Sequence, residues 1–430
     1  MRRLLLTLQH AVAAPTRNPR LAVVIGRLLG LAFLVCFGTG LYSHFLQEPL
    51  PWMHFPTFPG NLYQFTQGIH ITAGIACFPL ILAKLYTVFP NLFETPPITG
   101  IGSLLARASI AVFVGASLVE ITIGLLNTYQ FYPWPFGFRE VHFALSFVII
   151  GSLAIHIGVK LPIIAKYWRK RDGYGPALAF DDEERAEINA PLVDVLPAPL
   201  QKVPGARQVS GLTGRLFRWI DAAPAEQPGT ATSTSRRGFL VTVGVGVAAV
   251  VVLTAGQSFA LLRPFNLFAP RVKGIGPQAV PVNRTAVAAQ VTETAMAPDW
   301  ALTLGNGSRT LSFSRAELLA MPQTTVDLPI ACVEGWSQMA TWTGVRLNEL
   351  VRRVDAGQGA ALRITSLEKE GGYRVTQMGS EYVGDDNTLV ALTLNGETLD
   401  IDHGYPARMI APGRPGVLQT KWLSKLEVLS

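Results

Sequence analysis

The sequence has little cysteine and little charge, and both shortages exclude classes of protein. Only three of its 430 residues are cysteines: Cys36, Cys77 and Cys332. Cys36 and Cys77 lie in apolar runs, so we expect no framework of disulfide bonds of the kind that stabilises small secreted domains. Charged residues make up 15% of the chain and apolar residues 49%, and so low a charge content is unusual for a soluble protein. The composition therefore favours a protein with membrane-spanning segments.

Five apolar segments are each long enough to cross a bilayer as a helix. They cover residues 21–43, 66–89, 107–127, 141–164 and 239–262. The loops after the first and third segments contain one basic residue, Arg139, whereas residues 165–238 contain eleven. Because basic residues concentrate on the cytoplasmic side, the N-terminus and residues 165–238 are predicted to be cytoplasmic. The fifth segment then carries residues 263–430 outside, and the net charge of +7 indicates topology, not nucleic-acid binding.

Beyond the fifth segment, long apolar runs give way to short ones that are typical of strands. Strands are predicted at 300–304, 362–365 and 388–394, with short helices at 314–320 and 346–354. An Asn-Gly turn follows the third strand. The predicted fold is therefore multi-domain: an all-α four-helix transmembrane bundle, a fifth transmembrane helix and a C-terminal α+β domain. The predicted boundaries are 1–20 for a cytoplasmic N-terminus, 21–165 for the bundle, 166–238 for a linker, 239–262 for the fifth helix and 263–430 for the exported domain.

The linker is rich in Pro, Ala, Gly, Ser and Thr, with a short helix predicted at 181–188. It ends in the run S-R-R-G-F-L, residues 235–240. This run resembles the twin-arginine export signal, which is read by a translocase that carries folded cargo. An arginine pair at the cytoplasmic end of a helix is the simpler alternative. No small-residue cleavage site follows, so we expect the fifth helix to remain as an anchor.

Three of the seven histidines lie inside the apolar segments. Ionisable side chains are costly within a bilayer and usually functional, although a hydrogen-bonded structural histidine is the alternative. His70 and His142 each lie about one turn into the second and fourth segments, which run in the same direction. Both are therefore expected at one depth near the outer face, where two imidazoles can bind one haem iron from opposite sides. His156 lies about 21 Å along the same helix face from His142.

This spacing of His142 and His156 resembles the b-type cytochrome subunits of membrane formate dehydrogenases and hydrogenases. The resemblance implies two stacked haems. The inner site departs from it, because Arg27 stands where the first segment should supply a histidine and Lys84 is level with His156. Either His156 binds a second haem with an unusual partner such as His10, or one haem b is bound in the outer site alone.

Cys332 begins the run C-V-E-G-W-S and is the only cysteine outside the apolar segments. A thiolate is a soft ligand suited to a redox metal, although a lone cysteine is more often a small buried apolar residue. The runs H-G-Y-P-A-R, from His403 to Arg408, and Q-T-K-W-L, from Gln419, follow it. These runs closely resemble the molybdopterin-binding domain of the sulfite oxidase family, most of all the bacterial branch that includes the catalytic subunit of periplasmic methionine-sulfoxide reductase.

The resemblance covers residues 275–430 and implies one pyranopterin that binds molybdenum, with Cys332 as the protein's metal ligand and catalytic residue. His403 and Arg408 match the pair that holds the pterin and its phosphate, for which the fork of an arginine is suited. The other implied cofactor contacts are Asn283, Arg284, Gln419, Thr420 and Lys421, with Thr365 or Ser366 as a further one. Trp336 and Trp342 serve either the cofactor or the core.

The expected function is a membrane-bound molybdenum oxidoreductase that transfers an oxygen atom or two electrons on a small extracytoplasmic molecule. The expected partners are that substrate, the quinone pool, reached through haem b, and the twin-arginine translocase during biogenesis, with no nucleic acid. The expected location is the bacterial cytoplasmic membrane, with the N-terminus inside. An electron-relay or assembly protein without turnover is the alternative, against which the retained Cys332, His403, Arg408 and Lys421 argue. The residues leave the substrate, the direction of the reaction and the oligomeric state open.

Overall fold

The computed structural model describes residues 16–17, 19–89, 100–169, 236–355 and 359–429. The chain divides into two compact units. The first comprises Met1–Phe33, Ala76–Thr122 and Ala144–Ala248, and the second comprises Leu34–Ile75, Ile123–Phe143 and Ala249–Ser430. His10 and most of the predicted linker, with its short helix at 181–188, lie outside the described residues.

Five long helices precede the strands. They are α1 (Pro19–Gln47), α2 (Leu62–Val88), α3 (Ile101–Thr128), α4 (Phe138–Trp168) and α5 (Arg236–Thr254). Within the described part of the chain, five helices are long and apolar enough to cross a membrane, which confirms the prediction of an apolar helical region. The first four begin before the predicted segments, because the helical backbone continues through the polar turns that flank each apolar run.

The fifth helix ends earlier than predicted, at Thr254 and not at residue 262. Two short 3₁₀ segments follow, Ala255–Gln257 and Ala260–Phe265. The chain folds back so tightly that a Cβ atom on Gly256 would lie 2.6 Å from the carbonyl oxygen of Leu262. The short polar run Gly256-Gln257-Ser258 marks this end, and the prediction passed over it because Phe259 to Leu262 are apolar again.

In the first unit, helices pack through an apolar core. Its buried members are Leu29, Phe33, Cys77, Leu80, Ile81, Phe113 and Ile149. The rings of Phe33 and Phe113 meet edge to face with their centroids 5.2 Å apart, an arrangement that favours aromatic contact. Val243 and Val247 of α5 pack against the same core. This unit is therefore held together by side chains from all five helices.

The C-terminal part of the second unit contains two sheets among the described residues. The first has the order β2-β1-β10-β5-β6, with β1 parallel to β10. Its strands are β1 (Ala301–Gly305), β2 (Thr310–Ser314), β5 (Ala361–Ser366), β6 (Val375–Met378) and β10 (Leu423–Leu429). The second has the order β3-β4-β7-β8, with β9 also paired to β7. Its strands are β3 (Thr324–Ala331), β4 (Ser337–Arg346), β7 (Leu389–Leu394), β8 (Glu397–Thr398) and β9 (Arg408–Ile410).

Four short helices, one before β1 and three between strands, confirm the α+β class of the domain. They are α6 (Thr292–Ala295), α7 (Arg315–Ala320), α8 (Leu347–Arg352) and α9 (Ser380–Val383). A capping box between Ser314 and Glu317 starts α7, which satisfies backbone donors that the first helical turn leaves free. The predicted turn after β7 has positive φ at both Asn395 and Gly396, as a tight hairpin requires.

The ends of α1 and α2 and the loop between them belong to the same unit as these strands. Leu46 and Tyr63 are buried in one cluster with Ala331, the last residue of β3. The backbone N–H of Gly413 donates to the carbonyl oxygen of Gly60 at 2.8 Å. Side chains from the helical part of the chain therefore support the residue immediately before Cys332.

Candidate active site and histidine pair

Cys332 begins the tight turn that joins β3 to β4, and we call residues 332–336 the Cys332 turn. The Cys332 N–H donates to the Trp336 carbonyl oxygen at 2.9 Å, and the Gly335 N–H donates to the Cys332 carbonyl oxygen at 3.0 Å. Gly335 has a φ of +93°, a conformation that glycine adopts without strain. The sequence folds into this turn because a glycine stands at the position that needs it.

The turn buries the Cys332 side chain, which is 1% exposed, in an apolar cluster with Trp336 and Trp342. Burial raises the pKa of the thiol well above its ordinary value, and the nearby Glu334 carboxyl raises it further. A metal cation bound at the sulfur would reverse this effect and hold the residue as a thiolate. The environment therefore suits a metal ligand better than a free nucleophile.

A cavity with about 410 Å³ of empty space, partly open to solvent, contains five of the predicted cofactor contacts. Its lining residues are Asn283, Arg284, Glu368, Tyr373, Gly416, Val417, Gln419, Thr420 and Lys421. The Lys421 ammonium donates to the carbonyl oxygens of Arg284 at 2.6 Å and Asp402 at 2.9 Å. Arg284 forms an ion pair with Glu368 at 2.8 Å. The predicted loop at 283–284 and the Q-T-K-W-L run thus meet in one place.

His403 and Arg408 are not among the cavity lining but lie buried, each 1% exposed. The Arg408 Nη1 donates to the carbonyl oxygen of His403 at 3.1 Å. The His403 Nε2 donates to the carbonyl oxygen of Pro277 at 2.8 Å. Gly404 has a φ of +111°, and a Cβ atom there would lie 3.1 Å from the Lys421 Cα. The H-G-Y-P-A-R run can therefore approach the Q-T-K-W-L run because its second residue is glycine.

For the buried cations of this region, the cost of burial outweighs the attraction of the nearby carboxylates. Burial lowers the pKa of Lys421 to about 7, an effect that the neighbouring Arg408 charge reinforces. Burial likewise lowers the pKa of Arg408 to about 9 and that of His403 to about 4. Desolvated cations of this kind are stabilised by a bound anion. The charges therefore fit a phosphate-bearing ligand.

Unpaired polar atoms support the same fit. Among the buried side-chain atoms without a hydrogen-bond partner are the Nε of Arg408, the Nε of Arg414 and the Oε1 of Gln419. Buried polar groups are normally paired, so these three atoms are available to a ligand. The donors suit phosphate and the amide oxygen suits a ring N–H, both of which a pterin cofactor offers. The residues present therefore fit a molybdopterin.

The structure places the other four candidates, Thr365, Ser366, Trp336 and Trp342, outside the cavity lining. Thr365 lies on β5, where its carbonyl oxygen accepts from the Ser424 hydroxyl at 3.0 Å. Its neighbour Ser366 is buried and donates to the Lys421 carbonyl oxygen at 2.8 Å, so Ser366 positions Lys421. The indole N–H groups of Trp336 and Trp342 donate to Glu334 and to the Leu328 carbonyl oxygen. These tryptophans therefore use their polar atoms within the protein.

Sequence reasoning missed Arg414, Glu368 and Tyr373. Arg414 is 3% exposed, donates to the Gln377 carbonyl oxygen at 2.5 Å and lies 5.5 Å from the Tyr382 ring centroid. A signal for a turn was available, since Arg414 stands in the run Pro412-Gly413-Arg414-Pro415-Gly416 shortly after β9. Glu368 and Tyr373 carry no comparable signal, because their place in the cavity depends on how β5 and β6 are connected.

His70 on α2 and His142 on α4 lie beside each other in the second unit, with ring centroids 6.1 Å apart and planes at 72°. Two imidazoles that each bind one metal at about 2 Å have centroids about 6 Å apart. The Nδ1 of His70 donates to the Cys36 carbonyl oxygen at 2.9 Å, the type of bond that orients an axial histidine. The pair therefore fits a single haem iron.

Glycines keep the histidine rings accessible. A Cβ atom on Gly40 would lie 3.0 Å from the Cε1 of His70, and one on Gly124 would lie 3.5 Å from the Cε1 of His142. Side chains at these two positions would occupy space beside the imidazoles. A flat macrocycle between two helices needs such space, so these glycines add to the fit.

His156 belongs to the first unit, where no other histidine is present among the described residues. Its Nδ1 is buried without a hydrogen-bond partner. Arg27 stacks on the Trp168 ring at 4.1 Å, and the Lys84 ammonium donates to the Ala22 carbonyl oxygen at 2.7 Å. With His10 outside the described residues, the second haem stays a prediction without an identified partner for His156.

The other two helical-region histidines make contacts of their own. His44 lies in the last turn of α1, and its ring stacks on Phe143 with centroids 3.6 Å apart. His54 lies in the loop after α1, 71% exposed and 3.5 Å from the Glu381 carboxylate. Neither is part of the His70–His142 pair.

Comparison with known proteins identifies the domain. Residues 288–430 match the oxidoreductase molybdopterin binding domain family. The nitrate reductase (NADPH) of Beauveria bassiana is 35% identical over 95 residues, which are 21% of this chain and 11% of the relative. The sulfite oxidase of Arabidopsis thaliana is 36% identical over 64 residues, 15% of this chain and 16% of the relative. The sulfane dehydrogenase SoxCD from Paracoccus pantotrophus shares 25% identity, with 30% of this chain and 38% of that chain covered, at a TM-score of 0.28.

Residues 288–430 therefore form a molybdopterin-binding oxidoreductase domain. The prediction of such a domain is confirmed. The chain spans only 11% and 16% of the length of these two curated relatives. The family match begins after α5, so the helices and the cavity residues Asn283 and Arg284 lie outside it.

Proposed function

We propose that this protein is a membrane-bound molybdopterin oxidoreductase that exchanges electrons with the quinone pool through haem b. The observation that carries the proposal is the composition of the second unit. It contains both the Cys332 turn with its cationic cavity and the His70–His142 pair. A two-electron site and a one-electron site in one compact body are the parts that such an enzyme needs.

In this proposal, each candidate site residue of the domain has a role that its contacts support. Cys332 provides the protein's ligand to the metal. Lys421, Arg408 and Arg284 neutralise the phosphate, and Gln419 binds the pterin ring through its unpaired amide oxygen. When bound, the molybdenum cofactor supplies two-electron redox chemistry, commonly oxygen-atom transfer. Trp336 and Trp342 exclude water from the thiol, because both are buried against it.

The helical region has a role in electron transfer and in anchoring. His70 and His142 bind one haem b, which supplies one-electron chemistry. The five apolar helices cross the membrane, with the basic residues inside and the domain outside. Large apolar side chains on the helices are exposed, for example Leu31 and Val245, both 61% exposed, as lipid-facing residues are. Arg236 and Arg237 at the start of α5 are read by the twin-arginine translocase.

The substrate is proposed to be a small molecule that gains or loses an oxygen atom. Nitrate and sulfite, which appear in the names of the relatives, belong to this class. The cavity is lined by Arg284 and Lys421, and these cations would attract a small oxyanion.

The test combines cofactor analysis with an activity screen on the purified full chain. Molybdenum is measured by mass spectrometry, haem by the pyridine haemochrome method, and turnover with reduced and oxidised dyes against small oxygen-atom donors and acceptors. One molybdenum and at least one haem with dye-linked turnover support the proposal. Both cofactors without any turnover would favour an electron-relay or assembly protein, and a chain without molybdenum would refute the proposal.

A further inference from the structure

The Cys332 turn packs directly against α2 at the level of His70. The Gln67 side-chain amide donates to the Val333 carbonyl oxygen at 3.0 Å. A Cβ atom on Gly335 would lie 2.7 Å from the Cγ1 of Ile71, so the turn touches α2 at this point as well. Gln67 precedes His70 by three residues, which is about one helical turn, and Ile71 follows it directly. The turn that begins at Cys332 therefore contacts α2 on both sides of His70.

Further contacts fix the turn in this position. The Ser258 hydroxyl donates to the Gly335 carbonyl oxygen, and the Ser337 hydroxyl donates to the Ser258 carbonyl oxygen at 3.0 Å. The Gln130 side-chain amide donates to the Glu334 carboxylate. Together with Gln67 of α2, residues from three separate segments of the chain thus hold one five-residue turn. Such a network keeps the separation between the turn and α2 constant.

A constant and short separation matters because electrons tunnel between redox centres. The rate of tunnelling falls steeply with distance, and it falls less through bonds and tight contacts than across empty space. From the sulfur of Cys332 the main chain reaches the carbonyl oxygen of Val333, where one hydrogen bond leads to Gln67 and thus to α2. The contact of Gly335 with Ile71 offers a second crossing to the same helix.

We propose that the contact of Val333 and Gly335 with Gln67 and Ile71 is the route by which electrons pass between the haem held by His70 and the molybdenum held by Cys332. This inference rests on the proposed function. The substrate reaction moves two electrons and a haem iron carries one, so each turnover needs two crossings. In each crossing one centre loses one electron and the other gains it, with no bond made or broken. A quinol is the donor for substrate reduction, and a quinone is the acceptor for substrate oxidation.

The matched variants are Gln67→Leu and Gln64→Leu in the purified full-length holoprotein. Leucine has nearly the size of glutamine but cannot donate a hydrogen bond, so Gln67→Leu removes the bond to Val333. Gln64 lies one turn earlier on α2 and donates to the Ser337 hydroxyl at 3.0 Å. This bond belongs to the network that fixes the turn but not to the proposed route, so Gln64→Leu separates a loss of support from a loss of the route. The rate of electron exchange between haem and molybdenum is measured from haem absorbance after flash reduction by a photoexcited flavin. Ile71→Ala, which opens the second crossing, is measured in the same way.

We expect the exchange rate to fall several-fold in Gln67→Leu and in Ile71→Ala and to be unchanged in Gln64→Leu. The haem spectrum, the haem midpoint potential and the electron paramagnetic resonance signal of partly reduced molybdenum should be the same in all variants. A merely structural role of Gln67 would change the molybdenum signal, because the turn would move Cys332. If Gln67→Leu loses haem, the exchange rate of Ile71→Ala alone decides whether the proposed route is correct.

Two results would overturn the route: a wild-type rate in both Gln67→Leu and Ile71→Ala, or an equal loss of rate in Gln64→Leu. Failure of the proposed function gives a different result. The purified wild-type protein would then lack haem or molybdenum, which is seen before any kinetic measurement.

Discussion

The helices and the C-terminal domain build their candidate cofactor sites in opposite ways. The domain assembles its cavity from residues in four stretches of the chain, including Asn283, Glu368, Tyr373 and Lys421. The helices need only His70 and His142, whose rings lie 6.1 Å apart. A phosphate-bearing ligand is held by many donors, whereas a haem iron needs two ligands and a slot of the right width. The domain's site therefore corresponds to several sequence motifs, whereas the helical site corresponds to two separate histidines.

This difference decides which evidence is available for each region. The domain's ordered runs produce a family match over residues 288–430, so its class is known. The helices offer only two histidines at the same predicted depth. These two residues are far apart in the sequence and form no continuous motif that a family model could match. The difference also makes the two sites separable by mutation, because the residues of one do not belong to the other.

Replacing Cys332 should give the largest effect and the cleanest separation. Cys332→Ser should abolish turnover while haem content stays at the wild-type value, because a hydroxyl is a poor ligand for a soft metal site. Dye-linked activity and the pyridine haemochrome of the purified variant are the measurements. Cys77→Ala, which removes a buried cysteine of the first unit, serves as the control and should keep turnover. Near-wild-type turnover of Cys332→Ser would refute the assignment of Cys332.

Export separates the same two regions within the cell. Replacing Arg236 and Arg237 together with lysine should leave the domain in the cytoplasm while α1 to α4 insert normally, because the translocase reads the arginine pair and not its charge. Protease digestion of intact spheroplasts measures exposure of the C-terminus. Replacing Arg263, beyond the end of α5, with lysine is the control. A C-terminus that is equally exposed in the pair variant would show that the arginines are only the end of a helix.

Removal of one histidine should affect the haem alone. His70→Ala or His142→Ala should each remove the low-spin haem absorbance, because one remaining imidazole leaves the iron without its second ligand. Molybdenum content should stay the same in both. His54→Ala changes an exposed loop histidine and should keep the spectrum. About one haem per chain is expected for the wild type, and a clear value of two would direct attention to His156 and its unidentified partner.

The fold was predictable where one physical pattern dominates. Apolar length located the five helices, and short β-type runs bounded by turn signals located β1, β5 and β7. The end of α5 at Thr254 was missed, because the apolar residues Phe259 to Leu262 hid the short polar run that precedes them. Hydropathy predicts whether residues are buried, but it does not predict where the chain reverses direction.

The candidate site was predictable only in part, for the same reason. Cys332, Arg408 and Lys421 belong to local runs that a resemblance can identify. Arg414 and Glu368 reach the region through strand connections. Thr365 or Ser366 was expected as a contact, and of the two it is Ser366 that donates to Lys421. Adjacent residues of a strand face opposite sides, so an error of one residue moves a side chain out of the site.

The smallest expected effect concerns the pH dependence of stability in protein that lacks the pterin cofactor. Burial lowers the pKa of Lys421 from 10.5 to about 7 in the folded protein. Between these values the unfolded chain binds a proton that the folded chain does not, so stability should rise as pH increases from 7 towards 10.5. Lys421→Met removes this contribution, and the rise between pH 7 and pH 9 should then be smaller by a few degrees in unfolding temperature.

Thermal unfolding of the domain, in protein from a host that cannot assemble the pterin, measures the difference. Lys425→Met, at a half-exposed position on β10, is the control for loss of a lysine. An identical rise in Lys421→Met and wild type would show that Lys421 is not held as a desolvated cation, and the phosphate would then have to be bound chiefly by Arg408 and Arg284.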